Sequence, residues 1–296
     1  MSGYVRRPEW LRLSPLDPKI LGPMRRLTHN LELHTVCESA YCPNRPDCFS
    51  RGTAAFMILG DTCTRHCTFC GVKKGHPRDP DPQEPQHIVD AISTLKVSYV
   101  VVTSVTRDDL PDGGAAQFAR TIGAIHGYDR AIAVEVLIPD FKGSRSALET
   151  VLSARPAVLN HNLETVPRLY PGVRPEGDYR RSLEVLSRGR LFHDNLLSKS
   201  GIMLGLGESQ REVIELMADL RETGCDILTI GQYLPPSRRH HELVRYVSPE
   251  EFVEYQTIGQ DMGFRSVFSG PLVRSSFHAA ESYLLTSRKM TSSSGR

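Results

Sequence analysis

Apolar residues along this chain recur in short, nearly continuous runs: "AAFMILG" (54–60), "YVVVTSV" (99–105), "IAVEVLI" (132–138), "AVLNHNL" (157–163), "GIMLGLG" (201–207) and "DILTIGQYL" (226–234). Runs of this length without alternation are what strands covered on both faces need. Between them lie segments of helical periodicity: "PQHIVDAISTLK", "GGAAQFARTIGAIHG", "SRSALETVLSA", "YRRSLEVLSRG" and "SQREVIELMADLRETG". Ser209 with Glu212 three residues on predicts a capping box, and Gly224 is placed to end the same helix. Six alternating strand–helix units predict parallel strands joined by right-handed crossovers, either a barrel or an open doubly wound sheet. Each run ends in polar residues: Asp61-Thr62-Cys63, Thr103-Ser104, Pro139-Asp140, Asn160-His161-Asn162 and Glu208. In such folds the chemistry sits at the C-terminal strand ends, so these tips are expected at one mouth. The Pro-rich tract 73–86 reads as loop, and the tail "TSSSGR" as disordered.

The chain of 296 residues contains no run of about 18 apolar residues, so no membrane span is expected. Its N-terminus lacks the apolar core of a secretory signal, which points to the cytoplasm. Net charge is +2 with the basic residues dispersed, against a nucleic-acid partner. The densest basic cluster, "SRRHH" at 237–241, reads as a solvated loop. Seven cysteines in a reducing compartment are not a disulfide framework. Cys225, beside an apolar run, reads as an inert buried thiol; the other six fall within residues 37–70.

Cys63, Cys67 and Cys70 follow the first strand with spacing C-x3-C-x2-C. Three thiolates leave a fourth position open, as a catalytic metal site does and a closed structural one does not. An iron–sulfur cluster suits this compact loop, and zinc remains the alternative on spacing alone. Cys37, Cys42 and Cys48 form a second triplet, C-x4-C-x5-C, which matches neither common zinc patterns nor the plant-ferredoxin spacing.

The first-strand loop, with the aromatic Phe69 before its third cysteine, resembles the radical SAM superfamily. Longer blocks are similar to the lipoyl synthase family: "RPEWL", "LHTVCESAYCPNRPDCFSRGTAAFMILGDTCTRHCTFC", "TSVTRDDLPDGGA", "LNHNLETVPRLY", "KSGIMLGLGE", "LTIGQYL" and "RSSFHA". The resemblance implies an α/β fold built on a partial (β/α)6 TIM-type barrel spanning 53–264. An N-terminal cysteine-rich extension (1–52) would precede it, and a C-terminal segment (265–296) would close over its mouth. It implies two [4Fe–4S] clusters, one on Cys63, Cys67 and Cys70, whose open iron is chelated by S-adenosyl-L-methionine. The other is an auxiliary cluster on Cys37, Cys42 and Cys48 with Ser276 as fourth ligand. The implied reaction inserts two sulfur atoms at C6 and C8 of a protein-bound octanoyl-lysine, with the auxiliary cluster as sulfur donor. A strong, nonacidic alkyl C–H bond calls for a radical rather than a base, and no Ser/His/Asp triad is evident.

Implied partners are octanoylated lipoyl domains of 2-oxoacid dehydrogenase E2 subunits or the glycine cleavage H protein. An electron donor such as flavodoxin or ferredoxin, and iron–sulfur carrier proteins, complete the set. For S-adenosyl-L-methionine the polar strand ends are the candidates, with Phe69: Thr103, Ser104, Asp112 with Gly113 and Gly114, Glu135, Asn160 and Asn162. Gly113 and Gly114 would let backbone approach the ligand, or else form a turn opening the next helix. Glu135, inside the fold, is expected to contact a ligand or an arginine, since a lone buried carboxylate is costly. His161 reads as packing or as a support behind the ligand-contacting groups, and Arg274 as an anchor of the C-terminal segment. Two departures stand out: Phe277 replaces the family's usual tyrosine, and the loop around Arg238, Arg239 and His240 is looser than the family pattern. The competing readings are a biotin-synthase-like enzyme and a binuclear zinc protein.

Overall fold

The computed structural model describes residues 6–13, 15, 17–50, 54–193 and 196–293. Its strands are β1 (His34–Thr35), β2 (Ala55–Ile58), β3 (Thr62–Cys63), β4 (Lys73–Lys74), β5 (Tyr99–Ser104), β6 (Ala133–Leu137), β7 (Val158–Asn160), β8 (Leu197–Leu204), β9 (Ile227–Gln232) and β10 (Ser266–Gly270). One sheet runs β1-β2-β5-β6-β7-β8-β9-β10, parallel throughout except for β1, which pairs antiparallel with β2. All six expected strands are present, and β10 adds a further parallel one against β9. Strand order follows chain order with no reversal. Right-handed crossovers then place every intervening helix on the same face, which excludes the doubly wound alternative.

Those helices are α4 (Glu84–Leu95), α5 (Ala115–Tyr128), α6 (Arg145–Ser153), α7 (Tyr170–Val173), α8 (Tyr179–Arg190), α9 (Gln210–Glu222) and α10 (Pro249–Asp261). The outward strand residues Val100, Val102, Val134 and Val136 pack against Ile88, Ile92, Phe118 and Ile122 of α4 and α5. Leu228 and Ile230 pack against Val213, Leu216 and Leu220 of α9. The expected capping box is formed, Ser209 and Glu212 bonding each other's backbone, and Gly224 (φ +80°) follows the helix end. α10 carries a second such box, Ser248 with Glu251.

Before the sheet come α1 (Pro18–Asn30), α2 (Val36–Ser39) and α3 (Arg45–Ser50). Leu21, Met24, Cys37 and Phe49 from these elements pack on Ala55 and Val101 of the sheet and on Ala279. The last helix, α11 (Ala279–Ser293), turns back to the start of the strands. Tyr283 stacks on Tyr99 at the start of β5 (centroids 5.3 Å), and Thr286 donates to Ser266 at the start of β10 (2.8 Å). Val158, Leu197 and Ile227, the first residues of three strands between them, form an apolar cluster with Tyr283. The N-terminal ends of the strands are thereby covered and the C-terminal ends left open.

Two loop readings need correction. Within the Pro-rich tract, Lys73–Lys74 is strand β4 and α4 already begins at Glu84. Glu84 is buried because its carboxylate accepts the Leu59 amide (3.0 Å) and the Gln117 side chain (2.8 Å). The tail expected to be disordered is helical as far as Ser293, and residues 294–296 lie outside the described residues.

Candidate active site

The loop carrying Cys63, Cys67 and Cys70 is closed at its base by the β3–β4 pair, where Thr62 and Cys63 face Lys73 and Lys74. The Gly75 amide donates to the Cys63 carbonyl (3.0 Å), and Lys74 Nζ to the Cys67 carbonyl (2.9 Å). A second clamp comes from the exit of β5. Thr64 donates to the Thr106 carbonyl through its amide (3.0 Å) and its hydroxyl (2.9 Å), while the Asp108 amide donates back to Thr64 Oγ1 (3.1 Å). The Thr106 amide points at Cys63 Sγ (3.3 Å).

Arg65 locks this clamp. Its guanidinium, 4% exposed, is bidentate on Asp108 (2.7 and 3.0 Å) and reaches Asp140 at the tip of β6 (2.6 Å), which Arg181 also contacts (3.1 Å). Burial alone would lift the Asp140 carboxyl, but the Arg65 hydrogen bond and charge outweigh it and hold Asp140 down at about 2. Burial likewise works against the Arg65 cation, and the two carboxylates more than reverse it.

Above the clamp, a cavity of about 500 Å³ opens at the C-terminal strand ends. It is bordered by Cys63, Cys67, Cys70, Phe69, Thr103, Ser104 and Asn162, all expected at the mouth from sequence, and by Cys37, Cys42 and Ser276. Phe69 packs beside Val173, Leu206 and Tyr233. Burial chiefly raises the thiols: Cys70 is pushed up to about 12, with Cys67 and Cys63 nearby adding to the effect, and Cys67 is raised despite Arg174. Clustered thiols of this kind shed protons on binding a metal.

Four residues that border the cavity carry a polar atom closed off from the surface and without a hydrogen-bond partner among the described residues: Ser104 Oγ, His161 Nε2, Asn162 Oδ1 and Arg174 Nε. Leaving such atoms unpaired is costly. Thr103 Oγ1, in contrast, is spent on the Leu137 carbonyl (3.0 Å). His161 Nδ1 lies 2.8 Å from the Ile138 carbonyl, which can only accept, so Nδ1 carries the proton and Nε2, unpaired among the described residues, is the ring's acceptor. Burial, then the charge of Arg174, depress His161 to about 4, keeping the ring neutral.

Arg174 and Glu164 add charge of both signs. Arg174 Nη1 donates to the carbonyls of Asn162 (2.8 Å) and Leu163 (3.1 Å), and Glu164 Oε1 accepts from Asn162 Nδ2 (3.1 Å). Glu164 is raised by burial, against the pull of Arg174. Both residues lie in or just after the quoted "LNHNLETVPRLY" block, yet sequence reasoning missed them; isolated charged residues in a loop leave no period of their own.

Other candidates lie away from the cavity. Asp112 caps α5, its carboxylate accepting the Gly114 (2.9 Å) and Ala116 (2.8 Å) amides. Gly113 and Gly114 form the turn before that helix, with φ +62° and +91°. A Cβ on Gly114 would fall 2.3 Å from Leu59 Cδ1, so packing explains that glycine. Glu135 sits below the cavity, and the cation that pairs with it is Lys199 (3.1 Å to both oxygens) rather than an arginine. It also accepts from Tyr99 Oη (2.5 Å) and Asn160 Nδ2 (2.7 Å), so Asn160 is tied to this pair. Cys225 is fully buried and pushed up to about 12 by burial, as an inert thiol should be.

Next to the main cavity, Cys37, Cys42, Cys48, Arg274, Ser276 and Phe277 border a smaller void. Its own space is about 10 Å³, a water's worth; the room beside it belongs to the main cavity, which Cys37, Cys42, Arg274 and Ser276 also line. Burial and the neighbouring Cys42 push Cys37 up to about 12. Among the described residues the Ser276 hydroxyl makes no hydrogen bond. Thiols 37, 42 and 48 with one free hydroxyl make a hard–soft donor set on a shared void, which fits a thiolate-preferring cluster with one labile position. No group of three or more His, Cys, Asp or Glu side chains among the described residues converges tightly enough for a single metal ion.

The loop 237–241 borders the cysteine loop through backbone, the His241 amide donating to the Thr68 carbonyl (2.9 Å), while Arg238 and Arg239 are exposed.

Comparison with known proteins places these features. The Radical SAM superfamily domain matches residues 57–220. The chain is 54% identical over 275 residues to the lipoyl synthase of Caldanaerobacter subterraneus subsp. tengcongensis, covering 93% of this chain and 96% of that protein. It is 52% identical over 266 residues to the lipoyl synthase of Aquifex aeolicus, covering 90% and 96%. Among solved structures, Streptococcus suis SuiB bound to precursor peptide SuiA aligns with TM-score 0.56 at 15% identity, over 91% of this chain and 58% of that one. Methylornithine synthase aligns with TM-score 0.52 at 12% identity, over 83% and 81%. At such identity the structures share the fold alone.

Proposed function

The chain belongs to the lipoyl synthase family of the radical SAM superfamily, and we propose that it inserts two sulfur atoms, at C6 and C8, into an octanoyl chain on a protein lysine. The observation that supports this reading is that Cys63, Cys67, Cys70, Cys37, Cys42 and Ser276 border one cavity at the strand C-termini, with Cys48 on the small void beside it. Bound there, a cluster with S-adenosyl-L-methionine would supply a 5′-deoxyadenosyl radical and the auxiliary cluster the sulfur.

The chain's own residues do the positioning. Cys63, Cys67 and Cys70 would hold one [4Fe–4S] cluster, leaving a corner for the cosubstrate; Cys37, Cys42, Cys48 and Ser276 would hold the other. Ser104, His161, Asn162 and Arg174, which border the cavity and carry unpaired atoms, would hold the polar ends of the cosubstrate, with His161 Nε2 as an acceptor for an ammonium or hydroxyl group. Phe69 and Thr103 complete that wall, whereas Asp112, Gly113 and Glu135 act at a distance, through helix capping and the strand interior. Apolar residues including Leu13, Val36, Met203 and Leu234 line the rest of the cavity and suit an alkyl chain, excluding water from the radical's path.

We read the sheet, with its strands in chain order, as a partial barrel over 53–264, with 1–52 carrying the auxiliary triplet and 265–296 returning Ser276 to the mouth. Partners follow from the reaction: a lipoyl domain or H protein bearing the acyl chain, a flavodoxin- or ferredoxin-like reductant, and an iron–sulfur carrier to rebuild the consumed cluster, all in the cytoplasm.

The test is mass spectrometry of an octanoyl-lysine peptide incubated anaerobically with enzyme, dithionite and S-adenosyl-L-methionine. Gain of two sulfurs, with 5′-deoxyadenosine formed alongside, is the expected result; an unmodified chain from protein loaded with about eight irons refutes it. Zinc in place of iron would favour the binuclear alternative.

A further inference from the structure

Ser276 reaches the cysteine void from the opposite end of the chain, and specific contacts hold it there. Asn44 lies between Cys42 and Cys48, is 5% exposed, and donates through Nδ2 to the Leu272 carbonyl at 2.7 Å, across 228 residues of sequence. Its own carbonyl accepts the Cys48 amide (3.0 Å). Asn44 therefore orients a cysteine with its backbone and the serine's segment with its side chain. Beyond the serine, the His278 ring sits between two carboxylates: Nε2 is 3.3 Å from Asp47, next to Cys48, and Nδ1 is 2.9 Å from Glu281. His278 adopts φ +51°, a left-handed conformation that side chains rarely take without restraint. Between these contacts Ser276 carries no hydrogen bond of its own among the described residues.

We propose that Asn44 and His278 are positioning residues that pin the segment 272–278 to the auxiliary cysteine loop and so set how readily Ser276 releases the iron it holds. The proposal rests on Ser276 being a ligand, as read above. The serine hydroxyl has no partner among the described residues, so the residence of its oxygen at the site depends on the segment as a whole, which Asn162 also holds through Ser275 Oγ (3.2 Å). Losing the buried Asn44 bond frees one end of the span; losing His278 frees the other. Sulfur donation from that site requires the serine corner to open, so the grip must be firm at rest and breakable on acyl-chain entry.

The experiment measures iron release to bathophenanthroline from anaerobic holoenzyme with neither cosubstrate nor acyl peptide present. The electron paramagnetic resonance signal of the reduced Cys63–Cys67–Cys70 site serves as internal reference. Asn44→Asp keeps shape but loses the donor, and is expected to release auxiliary iron about tenfold faster than the parent. Asn44→Ala and His278→Ala should also be faster, with His278→Gln, which retains one hydrogen bond, closer to the parent. Should Asn44→Ala fail to load its cluster, the Asn44→Asp and His278→Ala arms decide. Parent-like release from both overturns the proposal. Ser276→Ala separates the two ideas: parent-like release there removes the serine as ligand. Fast release there with unaltered Asn44→Asp and His278→Ala overturns the positioning role alone.

Discussion

Replacing Lys199 by methionine isolates what the buried pair beneath the cavity contributes. Glu135 and Lys199 are each 1% exposed and meet through two 3.1 Å contacts. Lys199→Met keeps most of the apolar stem but strands a carboxylate whose remaining donors, Tyr99 Oη and Asn160 Nδ2, are neutral. Breaking one side of a buried pair costs about 3–5 kcal/mol. Glu135→Gln in the Lys199→Met background removes the stranded charge while leaving an acceptor for Tyr99 and Asn160. The double variant should therefore recover all but about 1–2 kcal/mol. Urea unfolding of the anaerobic holoprotein measures both, and equilibrium dialysis measures S-adenosyl-L-methionine binding. Dialysis should give an unchanged Kd for the folded Lys199→Met protein, because Glu135 does not border the cavity. A single variant costing less than about 1 kcal/mol, or a double variant worse than the single, would refute the pair argument. A Kd weakened tenfold at intact stability would mean that the carboxylate serves the ligand after all.

Three further outcomes follow from the geometry. Arg65→Met leaves Asp140 with Arg181 alone and Asp108 without Arg65; it should cost about 3–5 kcal/mol and broaden the resonance of the adjacent reduced cluster, whereas Asp108→Asn should do less. For His161 the pKa falls from 6.5 when unfolded to about 4 when folded, because of burial and Arg174. Such a depressed group stabilises the fold above its unfolded value and loses that contribution as pH drops through 6.5 toward 4. Unfolding free energy should thus fall by about 2 kcal/mol between pH 7 and 5, and His161→Gln should flatten that slope; an equally steep variant sinks the assignment. Gly231→Ala places a Cβ 2.0 Å from the Val273 carbonyl, so it should push the C-terminal segment off β9, cost about 1–3 kcal/mol in urea unfolding, and increase protease cleavage near residue 273.

The six parallel strands were legible because each is an apolar run closed by turn or cap residues. β8 begins at Leu197, four residues before the run that revealed it, because its first turns are polar yet buried. Ser198 bonds Asp226 (3.1 Å) and Lys199 bonds Glu135, pairings that hydropathy does not register. β10 is only five residues long and partly exposed along most of its length, so no run announced it. By contrast α10 announced itself through Ser248-Pro249-Glu250-Glu251 and was simply unread. The cysteines were visible as spacing, but the convergence of Ser276 with Cys37, Cys42 and Cys48 spans over two hundred residues, and only resemblance suggested it. Glu135 was rightly expected to need a partner, yet its partner sits two strands away, at Lys199, a relation that register alone reveals.

α11 floors the strands' N-terminal ends, so the chamber is closed on that side and is entered from the strands' C-terminal side. Whatever lodges deepest must arrive first and depart last. Traffic from that side is ordered: an acyl arm already inside would bar the smaller guest behind it, so excess arm should inhibit when that guest is scarce.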